Sequence, residues 1–300
     1  MHKIENLATT SPITTQAGYH AFLYLALALV LYSIRVRTLF DIVQWEEEIL
    51  TQRREKREQR ESEIIEKSIQ LLSQQGFLSL RMSDIAKAAQ YSMGTIYSHF
   101  ESKEDLLIAC AHTLVLEHQL LIQTIQQRPI PAIEQIIATA QCNWLISMHH
   151  PDLIEIDNLS LMPSVWRRAT RQRADQLNQL HVALASTFLA IVEQAIADNL
   201  HGYQHLEAAE KSQLAHTLTH GMWGLCVGLA STAQSGYASN LCPKNSDENH
   251  AHFTTNYANF LKGYGWQEPN IDTVFARCNT IAIECMKSTT WFSASEPAIQ

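Results

Sequence analysis

The run Met82-Ser83-Asp84-Ile85-Ala86-Lys87-Ala88-Ala89, then Gln90-Tyr91, then Ser92-Met93-Gly94-Thr95-Ile96-Tyr97-Ser98-His99-Phe100 decides how this chain is read. Ile85, Ala86 and Ala89 share one face of a short helix, and the small alanines let another helix pack close. Ser92 is a good N-cap, because its hydroxyl can accept from a backbone N–H in the first turn. Ile96 and Phe100, four apart, point inward from the helix that follows. Met93, Thr95, Tyr97, Ser98 and His99 face elsewhere. Two short helices joined by a few residues form a helix-turn-helix. The second is short enough to enter a major groove ~12 Å wide.

The flanks extend the pattern. Ile64, Ile65, Ile69, Leu71 and Leu72 recur at helical spacing and predict a helix over 52–75. Gly76 suits the left-handed C′ position after it, and Phe77 the hydrophobe that closes the cap. Downstream, Ser102-Lys103-Glu104-Asp105 fits a capping box that opens a long helix with Leu106, Leu107, Cys110 and Leu114 on its apolar face. Arg53, Arg54, Lys56, Arg57 and Arg60 look like a basic arm, but glutamates interleave with them. Pairs such as Arg54/Glu58 and Arg57/Glu61 stand i,i+4, so a solvated, salt-bridged helix face is the simpler reading for most of them.

Asp84-Ile85-Ala86-x-x-Ala89, followed by Ser92-x-Gly94-Thr95-Ile96-Tyr97-x-His99-Phe100-x-Ser102-Lys103-Glu104-x-Leu106, resembles the DNA-binding signature of the TetR family over about a fifth of the chain. The resemblance implies roles for matched positions. Tyr97 and His99 would lie on the backbone-facing side of the reading helix, and Lys103 would meet a phosphate from a helix N-terminus. Ser92, Met93, Thr95 and Ser98 would approach base edges, and Ser83 and Gly94 count among the DNA-binding positions. Two positions depart from the family pattern. Gln90-Tyr91 stands where a glycine-containing pair is usual, so the turn must accept a non-glycine residue and Tyr91 gains a chance of DNA contact. Arg81 and Ser83 open the preceding helix; Arg81 replaces the usual Ser or Thr cap and could reach a phosphate instead. Both departures leave the operator sequence open.

Ten glycines and eight prolines in 300 residues are few turn residues, and they favour an all-α chain. The net charge of −8 permits DNA binding only through a local surface. Six cysteines, Cys110, Cys142, Cys226, Cys242, Cys278 and Cys285, form no C-x-x-C pair and read as scattered core thiols of a reducing compartment. No phosphate-binding loop, nucleophile elbow or dinucleotide fingerprint occurs, so neither an enzyme nor a cofactor is expected. His216 and His220 stand i,i+4, a spacing able to share one metal ion, without an H-E-x-x-H motif. No metal is assigned.

Three regions follow: an N-terminal extension over 1–50, a helix-turn-helix domain over 53–115 and a larger helical bundle over 116–290. Within the extension, residues 17–34 are almost wholly apolar and reach the lower limit for a membrane span. Arg35 and Arg37 follow directly and would keep the rest of the chain cytoplasmic. A start downstream of this run, at a non-Met codon such as that of Val43 or Leu50, is the competing reading. No Gly or Pro occurs between Tyr19 and Gln75, so one continuous helix is expected if the segment is present. In the bundle, helices are expected over 132–149, 152–161, 164–199, 208–235, 251–263 and 271–286, with a polar loop over 241–250. By resemblance this bundle would bind an unknown small-molecule effector and form a homodimer on a double-stranded DNA operator. Trp144, Met148, Trp166, Phe188, His220, Trp223 and Cys226 could line a ligand cavity, or pack as ordinary core. Gly224 and Gly228 are spaced for close approach of a partner helix. The expected function is a ligand-released dimeric repressor that reads a near-palindrome through Ser92–Phe100; the alternatives are a membrane-tethered DNA-binding regulator and a helical small-molecule binding protein or enzyme that has lost DNA binding.

Overall fold

The computed structural model describes residues 12–199, 203, 205–234 and 246–290, and every regular element among them is an α-helix. The chain divides into two compact units, 1–62 and 63–300.

The first unit is helical from Pro12 onward, within the element α1 (Pro12–Ser79), and its part from Tyr19 is continuous as the lack of Gly and Pro there leads one to expect. Of the apolar run 17–34, only Tyr24 and Leu27 have described side chains, and both are exposed; the membrane-span reading therefore falls outside the described residues. Arg54 Nε stands 3.7 Å from Glu58 with both side chains about 70% exposed, the solvated i,i+4 pairing expected of this face.

In the second unit, α1 is interrupted at Gly76, with φ 71° and ψ 165°. The positive φ expected there is present. The extended ψ differs from a left-handed cap and sends the chain off without the cap's curl, in a region open to glycine almost alone. Then follow α2 (Met82–Ala88), α3 (Met93–His99) and α4 (Lys103–Gln126). The helices α5 (Ala132–His149) and α11 (Ile271–Met286) have the bounds read from the sequence. Between them come α6 (Pro151–Ser160), α7 (Pro163–Trp166), α8 (Arg171–Asn199), α9 (Ala208–Gln234) and α10 (Ser246–Gly263). Pro151 and Pro163 sit in the first turns of their helices, where a missing N–H costs nothing.

Two expectations are corrected. The single helix over 164–199 is two, because the backbone at Thr170 is turned to bond Asp105 and leaves the helical path. The loop over 241–250 is shorter at its end: 246–250 begin α10, while 241–245 lie outside the described residues.

Two apolar cores hold this unit together. One joins Ile64, Ile69, Leu72, Ile85, Ile96 and Phe100 to the first half of α4 and to Leu153, Ile156, Val165 and Leu177. The other gathers the end of α4 with α5, α8, α9, α10 and α11. Both α4 and α8 contribute to each core, so they tie the helix-turn-helix to the bundle.

Candidate nucleic-acid interface and ligand cavity

The helix α3 is held by three local devices. Ser92 Oγ accepts from Thr95 N–H at 3.1 Å, the N-cap expected from the sequence. Ile96 and Phe100 are fully buried and seat its inner face. The preceding turn places Gln90 at φ 58°, a left-handed conformation that an L side chain adopts at some cost. The hydroxyl of Tyr91 then donates to Glu63 at 2.6 Å and ties the turn to α1. Tyr91 thus braces the reading head from within, which differs from the DNA contact its position suggested.

The outer face carries Ser92, Met93, Gly94, Tyr97 and Ser98, all exposed, with Thr95 half-buried. Met93 is 39% and Tyr97 51% exposed. A Cβ added at Gly94 would find only Ser92 Oγ, at 3.7 Å. Internal packing therefore does not demand glycine there, and the space opens outward. Thr95 Oγ1 lies 2.9 Å from Ser92 Oγ, and Ser98 Oγ donates to the Thr95 carbonyl at 2.7 Å, so these hydroxyls are pre-set by the helix.

Arg81 is exposed at the N-cap of α2 and makes no side-chain cap bond, as expected; Ser83 is half-buried behind it. His99 is corrected. It is 8% exposed, its ring tilted beside Phe100, because the last turn of α3 faces the core. Lys103 is turned back: Nζ donates to the Phe77 carbonyl at 3.2 Å and stands 4.4 Å over the Phe77 ring. It starts α4 but spends its charge on the end of α1.

Sequence reasoning missed the link between this head and the bundle. Asp105, almost fully buried, accepts from Thr170 N–H at 2.9 Å, from Thr170 Oγ1 at 2.7 Å and from Glu101 N–H at 3.3 Å. Arg173 on α8 places Nε 3.3 Å from Asp105, donates from Nη2 to the His99 carbonyl at 3.0 Å and lies 4.6 Å over the Phe100 ring. The Ser102 hydroxyl donates to the Arg168 carbonyl at 2.9 Å, and Arg168 pairs with Glu104 at 2.8 Å. The expected capping box is half met: Ser102 accepts from Asp105 N–H, but the Asp105 carboxylate serves Glu101 and α8 instead of the cap residue.

A cavity of about 750 Å³ lies among α4, α5, α6, α8 and α9. Trp166, Phe188, His220, Trp223 and Cys226 line it, as read from the sequence. Trp144 and Met148 do not. Trp144 is buried and stacks on Phe253 at 4.6 Å, and Met148 packs against the same core. Helix periodicity points Trp144 toward α10 and away from the cavity. Burial pushes the Cys226 thiol up to about 12, so it is a protonated apolar wall. Burial pushes the His118 imidazole down from its usual value and keeps it neutral. His216 and His220 also line the cavity, and no group of three metal-ligating side chains occurs among the described residues.

Residues 64–110 match the family model of bacterial regulatory proteins, tetR family. The fatty acid metabolism regulator protein of Bacillus subtilis (strain 168) is 26% identical over 119 residues, 39% of this chain and 58% of that protein. The chain thus spans little more than half the length of this curated relative. Among solved structures, the fatty acid degradation regulator FadR of Bacillus halodurans shares 17% identity at a TM-score of 0.48, over 67% of this chain and 98% of that one. FadR of Bacillus subtilis in complex with stearoyl-CoA shares 18% at 0.48, over 67% and 98%.

Proposed function

We propose that this chain, whose residues 64–110 match the family model of bacterial regulatory proteins, tetR family, is a cytoplasmic, dimeric transcriptional repressor released from DNA by a small molecule. The observation that carries the reading is α3. Its inner face is fully buried, while Met93, Gly94, Tyr97 and Ser98 stand exposed on a capped, two-turn helix of major-groove size. Ser92, Met93, Gly94, Thr95 and Ser98 face base edges. Tyr97 and Arg81 meet phosphates, and Lys103 joins them if it leaves Phe77.

Two copies would set their reading helices in successive major grooves, about 34–36 Å apart. The cavity serves as the effector site. Its size is that of a drug-sized ligand pocket, and its walls are mostly apolar with a few polar groups. Ligand binding would favour an arrangement of α4 and α8 in which the two heads no longer match operator spacing, a shift of population between two states.

The test is DNA binding by the purified protein to the region upstream of its own gene, against scrambled DNA, across a salt series. The expected outcome is a protected near-palindrome bound by two protomers, with affinity falling as salt rises. Equal affinity for scrambled DNA overturns the regulator reading.

A further inference from the structure

Four helices each contribute one polar side chain to a single cluster in the cavity wall: His118 from α4, Asn143 from α5, Asp157 from α6 and His181 from α8. Asn143, Asp157 and His181 are the side chains that act on His118, and His181 Nε2 stands 3.8 Å from Asp157 Oδ1. Asp157 Oδ1 is buried without a hydrogen-bond partner, and the buried His118 Nε2 and Asn143 Oδ1 have at most each other. Thr219 Oγ1 on α9, also in the wall, is likewise buried without a partner. Buried polar atoms are almost always paired, so Asp157 Oδ1 and Thr219 Oγ1, unpaired in one cavity wall, ask for a partner that enters it.

The chemistry of that partner follows from what is unpaired. Asp157 Oδ1 only accepts, and the Thr219 hydroxyl can accept as well as donate. The missing partner must therefore donate. Among the described lining residues Asp157 is the only carboxylate, and no Lys or Arg occurs. An anionic head would meet Asp157 with no fixed cation to offset it. An ammonium brings three N–H donors and the opposite charge. The rest of the wall, including Leu114, Val115, Ile122, Phe188 and Trp223, is apolar and suits a hydrocarbon body.

We propose that the cavity takes a lipophilic amine, its ammonium seated on Asp157 and its apolar body along α8 and α9. The proposal rests on the reading of the cavity as the effector site. It sets this chain apart from a sensor of carboxylates or acyl phosphates, whose ligands need basic walls.

Trp166 and Trp223 line the cavity, so tryptophan fluorescence of the full chain reports its occupancy. The probes share a twelve-carbon chain and differ in the head: dodecylamine, dodecanol, dodecanoate and dodecyltrimethylammonium, each below its micelle concentration. The expected ranking puts dodecylamine about tenfold tighter than dodecanoate, the usual scale of one charge-assisted hydrogen bond. Dodecanol falls between them. Dodecyltrimethylammonium, charged but without an N–H, binds more weakly than dodecylamine. Asp157→Asn brings amine and carboxylate affinities together without lowering the thermal midpoint of the free protein. Dodecanoate binding as well as the amine, or the quaternary ammonium matching it, overturns the amine assignment and leaves the effector site standing. No quenching by any probe overturns the effector site itself. The wild-type ranking decides these outcomes even if the variant fails to fold.

Discussion

Tyr97 shows how far a single side chain can be read. Its spacing from Ile96 and Phe100 places it off the buried face, and half its surface is exposed on α3. Tyr97→Ala should weaken operator binding by about 1 kcal/mol, or five- to tenfold, the usual net value of one hydrogen bond. Helical content should stay unchanged, and anisotropy titration beside circular dichroism checks both. His99 sits two residues on and was open to the same reading, yet the core takes it. Only the tilt of α3 against Phe100 and Arg173 separates the two, and a linear pattern does not contain that tilt.

Single residues also set the pH response. Burial lowers the imidazole pKa of His118, His112, His150 and His250 from the ordinary value of 6.5. The unfolded chain therefore takes up protons before the folded one does. Stability is fully present above 6.5 and is lost as pH falls through the lower folded values. The thermal midpoint should drop between pH 7.5 and 5, and His118→Gln should flatten that drop. A midpoint independent of pH over this range would contradict the burial of these rings.

At the scale of elements, the link between α3, α4 and α8 matters most. Asp105 and Arg173 are almost and mostly buried, and Arg173 also caps the last turn of α3 through the His99 carbonyl. Removing one member of a buried pair strands the other. Asp105 keeps its bonds to Thr170 and Glu101, so Arg173→Met should cost about 2–3 kcal/mol, below the usual loss for an isolated pair. Hydrogen exchange should accelerate in α3 and the start of α4 but not in α11. Uniform acceleration across the chain would mean that Arg173 supports the whole unit and not the head alone. The same helix, α8, lines the cavity with His181, Val182, Leu184 and Phe188. One rigid element thus touches both the ligand site and the end of the reading helix.

At the scale of the whole molecule, α8 and α9 leave apolar surface open. Only 22% of the most apolar stretch of α8 is buried. Nothing lies within 4 Å of a Cβ added at Gly224 or Gly228, whereas at Gly221 it would strike the Phe260 ring at 2.6 Å. A side chain at Gly221 would therefore displace Phe260 within one chain. Gly224 and Gly228 meet no such obstacle, and the dimer of the proposed function, seated on this face, would account for them. Gly228→Leu should leave the monomer's thermal midpoint level or raised, since leucine is the better helix former. It should weaken dimerisation by about tenfold or more, the 1–3 kcal/mol typical of overpacking. Sedimentation velocity over a concentration series measures this. An unchanged dimer would move the interface elsewhere.

The sequence by itself determined the reading head. Its caps, its buried Ile96 and Phe100 and its exposed Tyr97 are set by neighbours three or four residues away, so spacing along the chain contains them. The helices of the bundle were legible for the same reason, including α5 and α11 to the residue. Tertiary structure alone decided the rest. Asp105 meets Thr170 and Arg173 across more than 60 residues, and the cavity cluster draws one side chain from each of four helices. It also decided that Trp144 serves the core while Trp223 serves the cavity. Those assignments depend on which helix faces which, and that is fixed by packing the apolar faces of all the helices at once, which no local window of residues records.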